Sequence, residues 1–232
     1  MLEWTLKGNL MEKEIRHIES FTKISFKDYG TLVLTQGEQE SLTVEADEKV
    51  LPELITEVRS GKLVLGFDED WLKRLGKIIS SVFDREQHQI TYYLTCVNLE
   101  SISVSGNCKL ECESLETPTL GLHVSGYGDL SFGYLSCDSL NVHISGRGEF
   151  KGSGRADEQK VFISGSGEYK AADLTSQKTK VAISGQGNAD LHVEEDLNIT
   201  ISGLGQVNYH GRPKLRQVIS GLGKSRRLDD KA

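Results

Sequence analysis

Proline and aromatic residues are scarce in this chain, with three prolines in 232 residues and phenylalanine, tryptophan and tyrosine together at 7%. That composition suits thin stacked coils better than a compact helical domain. No apolar run approaches the ~20 residues of a membrane-spanning helix. Met1 is not followed by a basic start and an apolar core, so the sequence as written shows neither a membrane span nor an export signal. Paired zinc-type cysteines are missing too. Cys108 and Cys112 have no second pair at ligand spacing, and with Cys96 and Cys137 they fall at unlike places in the repeat described below. They read as buried free thiols rather than a metal site or a disulfide ladder. An excess of basic charge is also lacking. The net charge of −7 argues against nucleic acid as a partner.

What the chain has is glycine, in a strict pattern. Ser-Gly pairs end at Gly106, Gly126, Gly146, Gly165, Gly185, Gly203 and Gly221, in steps of 18 to 20 residues. Steps of that size are too short for helical repeats or propeller blades, and fit one coil of a solenoid. Two places before each glycine stand Val104, Val124, Ile144, Ile163, Ile183, Ile201 and Ile219. Four places before it stand Ile102, Leu122, Val142, Val161, Val181 and Ile199, and the last copy departs with Gln217. A period of two in β-branched residues predicts a strand with one face inward. Alternation resumes after the turn at Leu110, Leu130, Phe150, Tyr169, Ala189 and Val207, which predicts a second strand. A second glycine follows in most copies, with Cys108 the exception, and is expected to supply φ > 0 at a corner. Coils of equal length would then stack ~4.8 Å apart as parallel sheets around a narrow apolar core. The serines are expected to line the turn edge and to bond neighbouring coils. No histidine and acid repeat beside them, so they are not nucleophiles.

The first part of the chain reads as short strands joined by tight turns. Residues 1–19 form a lead-in, and strand patterns follow at Phe21–Phe26, Thr31–Thr35, Ser41–Ala46, Thr56–Val58, Lys62–Leu65 and Ile90–Thr95. Between them, Trp71, Leu72, Leu75, Ile78, Ile79, Val82 and Phe83 fall at helical spacing and predict one inserted helix within 68–88. The expected organisation is an N-terminal β unit over 1–98 that caps the solenoid, Ser-Gly-x-Gly coils over 99–224, and a charged tail over 225–232.

Two outward columns carry the candidate chemistry. His123 and His143 stand at the same place in adjacent coils, close enough to share a metal, but no further ligand shares their strands. The other histidines show no common spacing. Asp129, Glu149 and Glu168 align after the turn, with Lys151 and Lys170 two residues further along, so an ion ladder is the simple account. A calcium or polysaccharide site is the sharper one. Tyr127 and Arg147 in the turn column would add stacking and hydrogen bonds to a sugar. The sequon Asn198-Ile199-Thr200 falls inside a strand and reads as chance. No spacing assembles a catalytic acid and base, and no cofactor or resident metal is expected.

The serial coils, with Phe21-Thr22-Lys23-Ile24, Leu34-Thr35-Gln36-Gly37-Glu38, Gly61-Lys62-Leu63-Val64-Leu65 and Tyr92-Tyr93-Leu94-Thr95, resemble the family called "putative auto-transporter adhesin, head GIN domain". The resemblance covers most of residues 12–224. It implies an all-β, right-handed parallel β-helix, carried on exported or surface-anchored bacterial proteins, with an adhesin role and no catalytic residues. The expected function is a non-enzymatic structural or adhesive module whose repeated face meets a surface, a glycan or another protein. The alternative is a carbohydrate-active β-helix of the polysaccharide-lyase kind. Charges in the final coil and the N-terminal β unit should block end-to-end stacking, giving a monomer or a small side-by-side oligomer.

Overall fold

The computed structural model describes residues 11–67 and 89–228. Its strands join into one 17-stranded sheet wound into a parallel β-helix. The coils run through β8 (Ser101–Val104), β9 (Asn107–Glu116), β10 (Thr119–Val124), β11 (Tyr127–Ile144), β12 (Arg147–Ile163), β13 (Ser166–Ile183), β14 (Gln186–Ile201), β15 (Leu204–His210), β16 (Lys214–Ile219) and β17 (Lys224–Arg227). Each coil has an arm that leaves the Ser-Gly turn and an arm that returns to the next one. All of these pairings are parallel, with Tyr127 beside Arg147, Arg147 beside Ser166, Ser166 beside Gln186 and Gln186 beside Leu204.

The return arm buries the Val/Ile column seen in the sequence, with Ile144, Ile163 and Ile183 each 1% exposed. Burying one such side chain stabilises the fold by roughly 1.5–3 kcal/mol. On the outgoing arm Leu110, Leu130, Phe150, Tyr169, Ala189 and Val207 stack inward, and the Phe150 and Tyr169 rings lie parallel at 4.8 Å. The small Ala189 follows the two large rings, so the column keeps its volume without splaying the coils.

Both glycine columns have a steric cause. A Cβ on Gly146 would sit 2.1 Å from the carbonyl oxygen of Gly126 in the coil below, and Gly165 repeats this at 2.1 Å from that of Gly146. In the second column a Cβ would point inward, 3.0 Å from Ile144 Cγ2 at Gly167 and 2.8 Å from Ile163 Cγ2 at Gly187. Neither column uses positive φ, which for the second column corrects the expectation drawn from the sequence. Among the described residues the positive-φ glycines are Gly30, Gly61, Gly154 and Gly211. The serine hydroxyls bond between coils, Ser125 Oγ donating to the Val104 carbonyl at 3.3 Å and Ser145 Oγ to that of Val124 at 3.4 Å.

The unequal coil lengths are absorbed at the corner opposite the Ser-Gly turn. Register shifts fall between Phe132 and Leu135, between Lys151 and Ser153, and between Ala171 and Thr175. Bulges there keep the turn side aligned, where a one-residue slip would exchange inner and outer faces.

The first part of the chain continues the same stack. β2 (Lys23–Phe26) lies parallel to β8, and β3 (Tyr29–Gln36) lies parallel to β9. β6 (Lys62–Phe67) and β7 (Thr91–Cys96) add the next layer on β2 and β3. In that layer Leu65 stands beside Phe26 and Thr91 beside Thr31. The helix expected within 68–88 lies outside the described residues. β4 (Ser41–Asp47) and β5 (Leu54–Arg59), joined through a 3-10 turn at Leu51–Glu53, run antiparallel over β7 and β6, and β1 (Met11–Arg16) runs antiparallel to β4.

Both ends are blunted by polar groups. Glu12, Glu14 and Arg16 of β1 stand opposite the buried Ala46, Val44 and Leu42, and Arg16 Nη2 donates to the Leu51 carbonyl at 2.6 Å. At the other end the Ser225 hydroxyl bonds Gln217 Oε1, and Arg227 stands opposite Tyr209. Charged and polar groups over the end of a core discourage a further strand from adding.

Candidate functional site

On the arm leaving each turn, the residue between the two glycines and the residue two places later point outward together. Parallel register turns these positions into two continuous columns. The first is Tyr127, Arg147, Ser166, Gln186, Leu204 and Leu222, and the second is Asp129, Glu149, Glu168, Asn188, Gln206 and Lys224. The second-glycine column runs between them, and the columns and glycines together line a groove of about 740 Å³ along the solenoid axis. The five residues the sequence singles out for ligand contact, Tyr127, Asp129, Arg147, Glu149 and Glu168, all line it.

The acidic column has a cationic partner. Lys170 Nζ reaches Glu149 Oε2 and Glu168 Oε2, each at 2.8 Å. Those two carboxylates push the Lys170 pKa well up and keep the ammonium charged. The ammonium stands where a calcium ion shared by the two glutamates would stand. Among the described residues no group of three or more histidine, cysteine or acidic side chains is placed to hold a metal. Beyond the charged residues the groove changes character. Gln186, Asn188 and Gln206 offer amide donors and acceptors, while Leu204 and Leu222 are 45% and 86% exposed. The amide and leucine half was not singled out in the sequence, although it continues the same two columns.

His123 and His143 lie on the outer face of the return arms, on the far side of the turn from this groove. Their ring centroids are 5.4 Å apart, and Phe162 continues the row at 4.6 Å from His143. Burial, and then the neighbouring His123, lower the His143 pKa. With no third ligand beside it among the described residues, the pair begins a ladder of rings. A second concave surface of about 860 Å³ includes both histidines, Lys23, Glu100, Gly121 and Asn141. His192 and His210 are also in register, with ring centroids 6.1 Å apart, and each stands seven places after its Ser-Gly glycine, a shared spacing that the sequence reading missed.

The interior holds polar groups that the sequence reading missed. Gln159, Ser176 and Thr179 are buried, Tyr169 Oη donates to Gln159 Oε1 at 2.7 Å, and Gln159 Nε2 donates to the Leu174 carbonyl at 3.3 Å. Gln159 and Thr179 occupy the column of Leu140 and Leu197, so stacking the coils two residues further from the turn would have revealed them. All four cysteines are buried and free. Burial pushes the Cys96 thiol up to about 11 and those of Cys108, Cys112 and Cys137 up to about 12.

Among proteins of curated function, none matches this sequence. Several crystal structures share its fold. A "putative adhesin" from Bacteroides fragilis aligns with a TM-score of 0.83 at 22% identity, covering 95% of this chain and 98% of its own. A "putative adhesin" from Parabacteroides distasonis aligns at 0.72 and 19% identity, covering 95% and 98%. A "Putative lipid binding protein" from the same species aligns at 0.70 and 20% identity, covering 96% and 98%. The model of the family described as "Putative auto-transporter adhesin, head GIN domain" matches residues 20–213, most of the chain, and the chain belongs to that family.

Proposed function

We propose that this chain is a non-enzymatic adhesive module of the bacterial cell envelope, and that the groove along the Ser-Gly turn edge binds an extended glycan. One observation carries the reading: the repeat lines up two outward columns, with every sequence-flagged contact residue, along a single groove of about 740 Å³. The coil rise of ~4.8 Å is close to the length of one hexose unit, so a chain lying along the axis meets an equivalent pair of side chains at each sugar. Tyr127 gives a face for stacking, and Arg147, Gln186, Asn188 and Gln206 give hydrogen bonds to hydroxyls. Names of the structural relatives, adhesin for two and lipid-binding for one, agree with a module that binds.

The test is a titration of neutral polysaccharides, dextran and xylan among them, against the wild-type chain and a Gln186→Ala/Asn188→Ala/Tyr127→Ala variant. Binding that the variant loses by roughly tenfold or more supports the groove. Binding that the variant retains would place the ligand elsewhere. Turnover of a polysaccharide, abolished by changing Asp129, Glu149 or Glu168, would replace the adhesive reading with the lyase-like one.

A further inference from the structure

The return arms present a second outward surface whose charge is opposite to that of the molecule. On β12 to β14 and β16 its two outward columns carry Lys160, Lys178, Lys180, Lys214 and Arg216 with the carboxylates Glu158 and Asp196, while Asp157, Glu194 and Glu195 stand at the far-corner ends of the same arms, in a chain of net charge −7. The arrangement of these charges is selective. Lys178 stands in register between Glu158 and Asp196, and Asp196 stands beside Lys214, so one column alternates in sign. The neighbouring column instead places Lys160 directly beside Lys180, with Asn141 and Asn198 above and below them. Neither lysine has an ion-pair partner among the described residues, whereas Lys170 on the other arm is held by two glutamates. Like charges directly opposite in a sheet are destabilising, and an anion laid across them relieves the repulsion.

The rings lie next to this column. Phe162 is two residues beyond Lys160 on the same outward face, and it closes the row His123, His143, Phe162 with centroid spacings of 5.4 and 4.6 Å. Ala182 follows Phe162 in register and leaves a shallow place beside Lys180. An aromatic row flanked by lysines and asparagines, repeating at the coil rise, matches a sugar chain with one acidic group per one or two units. The rings take the apolar faces of the sugars, the lysines take the carboxylates and the asparagines take the hydroxyls.

We propose that the outer face of the return arms, centred on Phe162, Lys160 and Lys180, is a second binding surface for an acidic polysaccharide, separate from the turn-edge groove. The probe is polygalacturonate, with dextran as the uncharged control, in affinity electrophoresis and calorimetry on the full chain at low and high salt. Wild-type protein is expected to bind polygalacturonate through this face, and more weakly as salt rises, while any dextran binding goes through the groove and does not depend on Lys160, Lys180 or Phe162. Lys160→Glu/Lys180→Glu should weaken binding at least ~tenfold, Phe162→Ala should weaken it by a similar factor, and Lys160→Arg/Lys180→Arg should retain it. The groove variant Gln186→Ala/Asn188→Ala should bind polygalacturonate as the wild type does, which separates this surface from the groove. The proposal is overturned if polygalacturonate does not bind, if the glutamate variant binds equally well, or if Phe162→Ala has no effect. Equal, lysine-dependent binding to phosphatidylglycerol vesicles or duplex DNA would also overturn it, because the face would then be reading charge alone.

Discussion

The two corners of each coil solve the same problem in opposite ways. At the Ser-Gly turn the chain passes so close to the coil below that only glycine fits, and the same contact repeats from Gly106 to Gly221. At the far corner the coils differ by one or two residues, the register shifts, and Gly154 and Gly211 adopt positive φ to bring the chain round. The first corner is fixed by contact between coils and the second by local backbone conformation. The fixed corner, with the arms that meet it, holds neighbouring side chains in unbroken columns, and the groove lies there. Tolerance of length at the far corner is what permits that regularity, because variation in coil length has somewhere else to go.

Breaking the fixed corner should have the largest effect. Gly146→Ala places a Cβ 2.1 Å from a backbone oxygen that cannot move without shifting the coil below, and should cost about 5 kcal/mol or more, or prevent folding. One glycine inserted between Gly133 and Tyr134, at the far corner, should cost clearly less. Comparing the two denaturant midpoints checks the difference. Next, Ile183→Ala in the buried column should cost roughly 2 to 5 kcal/mol, whereas Gln186→Ala on the adjacent groove wall should cost under ~0.5.

Two further measurements reach the interior. The buried thiols are raised from 9.0 to between about 11 and about 12, so the folded chain keeps its protons where the unfolded chain loses them. Their contribution to stability is therefore complete below pH 9 and lost as pH rises through that window. The denaturant midpoint should fall between pH 9 and 11, and replacing Cys108 and Cys112 by alanine should flatten that fall. A smaller effect is expected from Tyr169→Phe, which removes the donor to Gln159 and should cost about 1 to 2 kcal/mol by the same assay.

The sequence made the fixed corner legible because sterics there admit one residue type, and a single permitted residue leaves a visible repeat. It misled about cause at the second glycine, which suggested positive φ, while the structure assigns it to crowding by inward side chains such as Ile144 and Ile163. The far corner was hard to read because several conformations turn the chain there, so Ser176 formed no pattern, whereas Gln159 and Thr179 stand in the regular column of Leu140 and Leu197 and were overlooked as polar members of it. The register of His192 with His210 was legible but overlooked, since each stands seven places after its Ser-Gly glycine. In the first part of the chain the strands were visible but their order was not. Lys27 and Asp28 stand at the turn where later coils have Ser-Gly, and β6 and β7 lie beside β2 and β3. Parallel pairing between distant segments leaves no local mark in a sequence.

Hydrogen exchange compares the two corners within one experiment. The turn amides are bonded coil to coil, Ser145 N–H to the Val124 carbonyl at 2.8 Å and Arg147 N–H to that of Gly126 at 2.9 Å, while the ladder breaks between Phe132 and Leu135 and between Ala171 and Thr175. Peptides spanning Ile144–Gly148 and Ile163–Gly167 should be as protected as the buried arms, and those spanning Phe132–Leu135 and Ala171–Thr175 should exchange first. Turn peptides that exchange as fast as the far-corner peptides would contradict the claim that the Ser-Gly edge is the rigid element on which the groove is built.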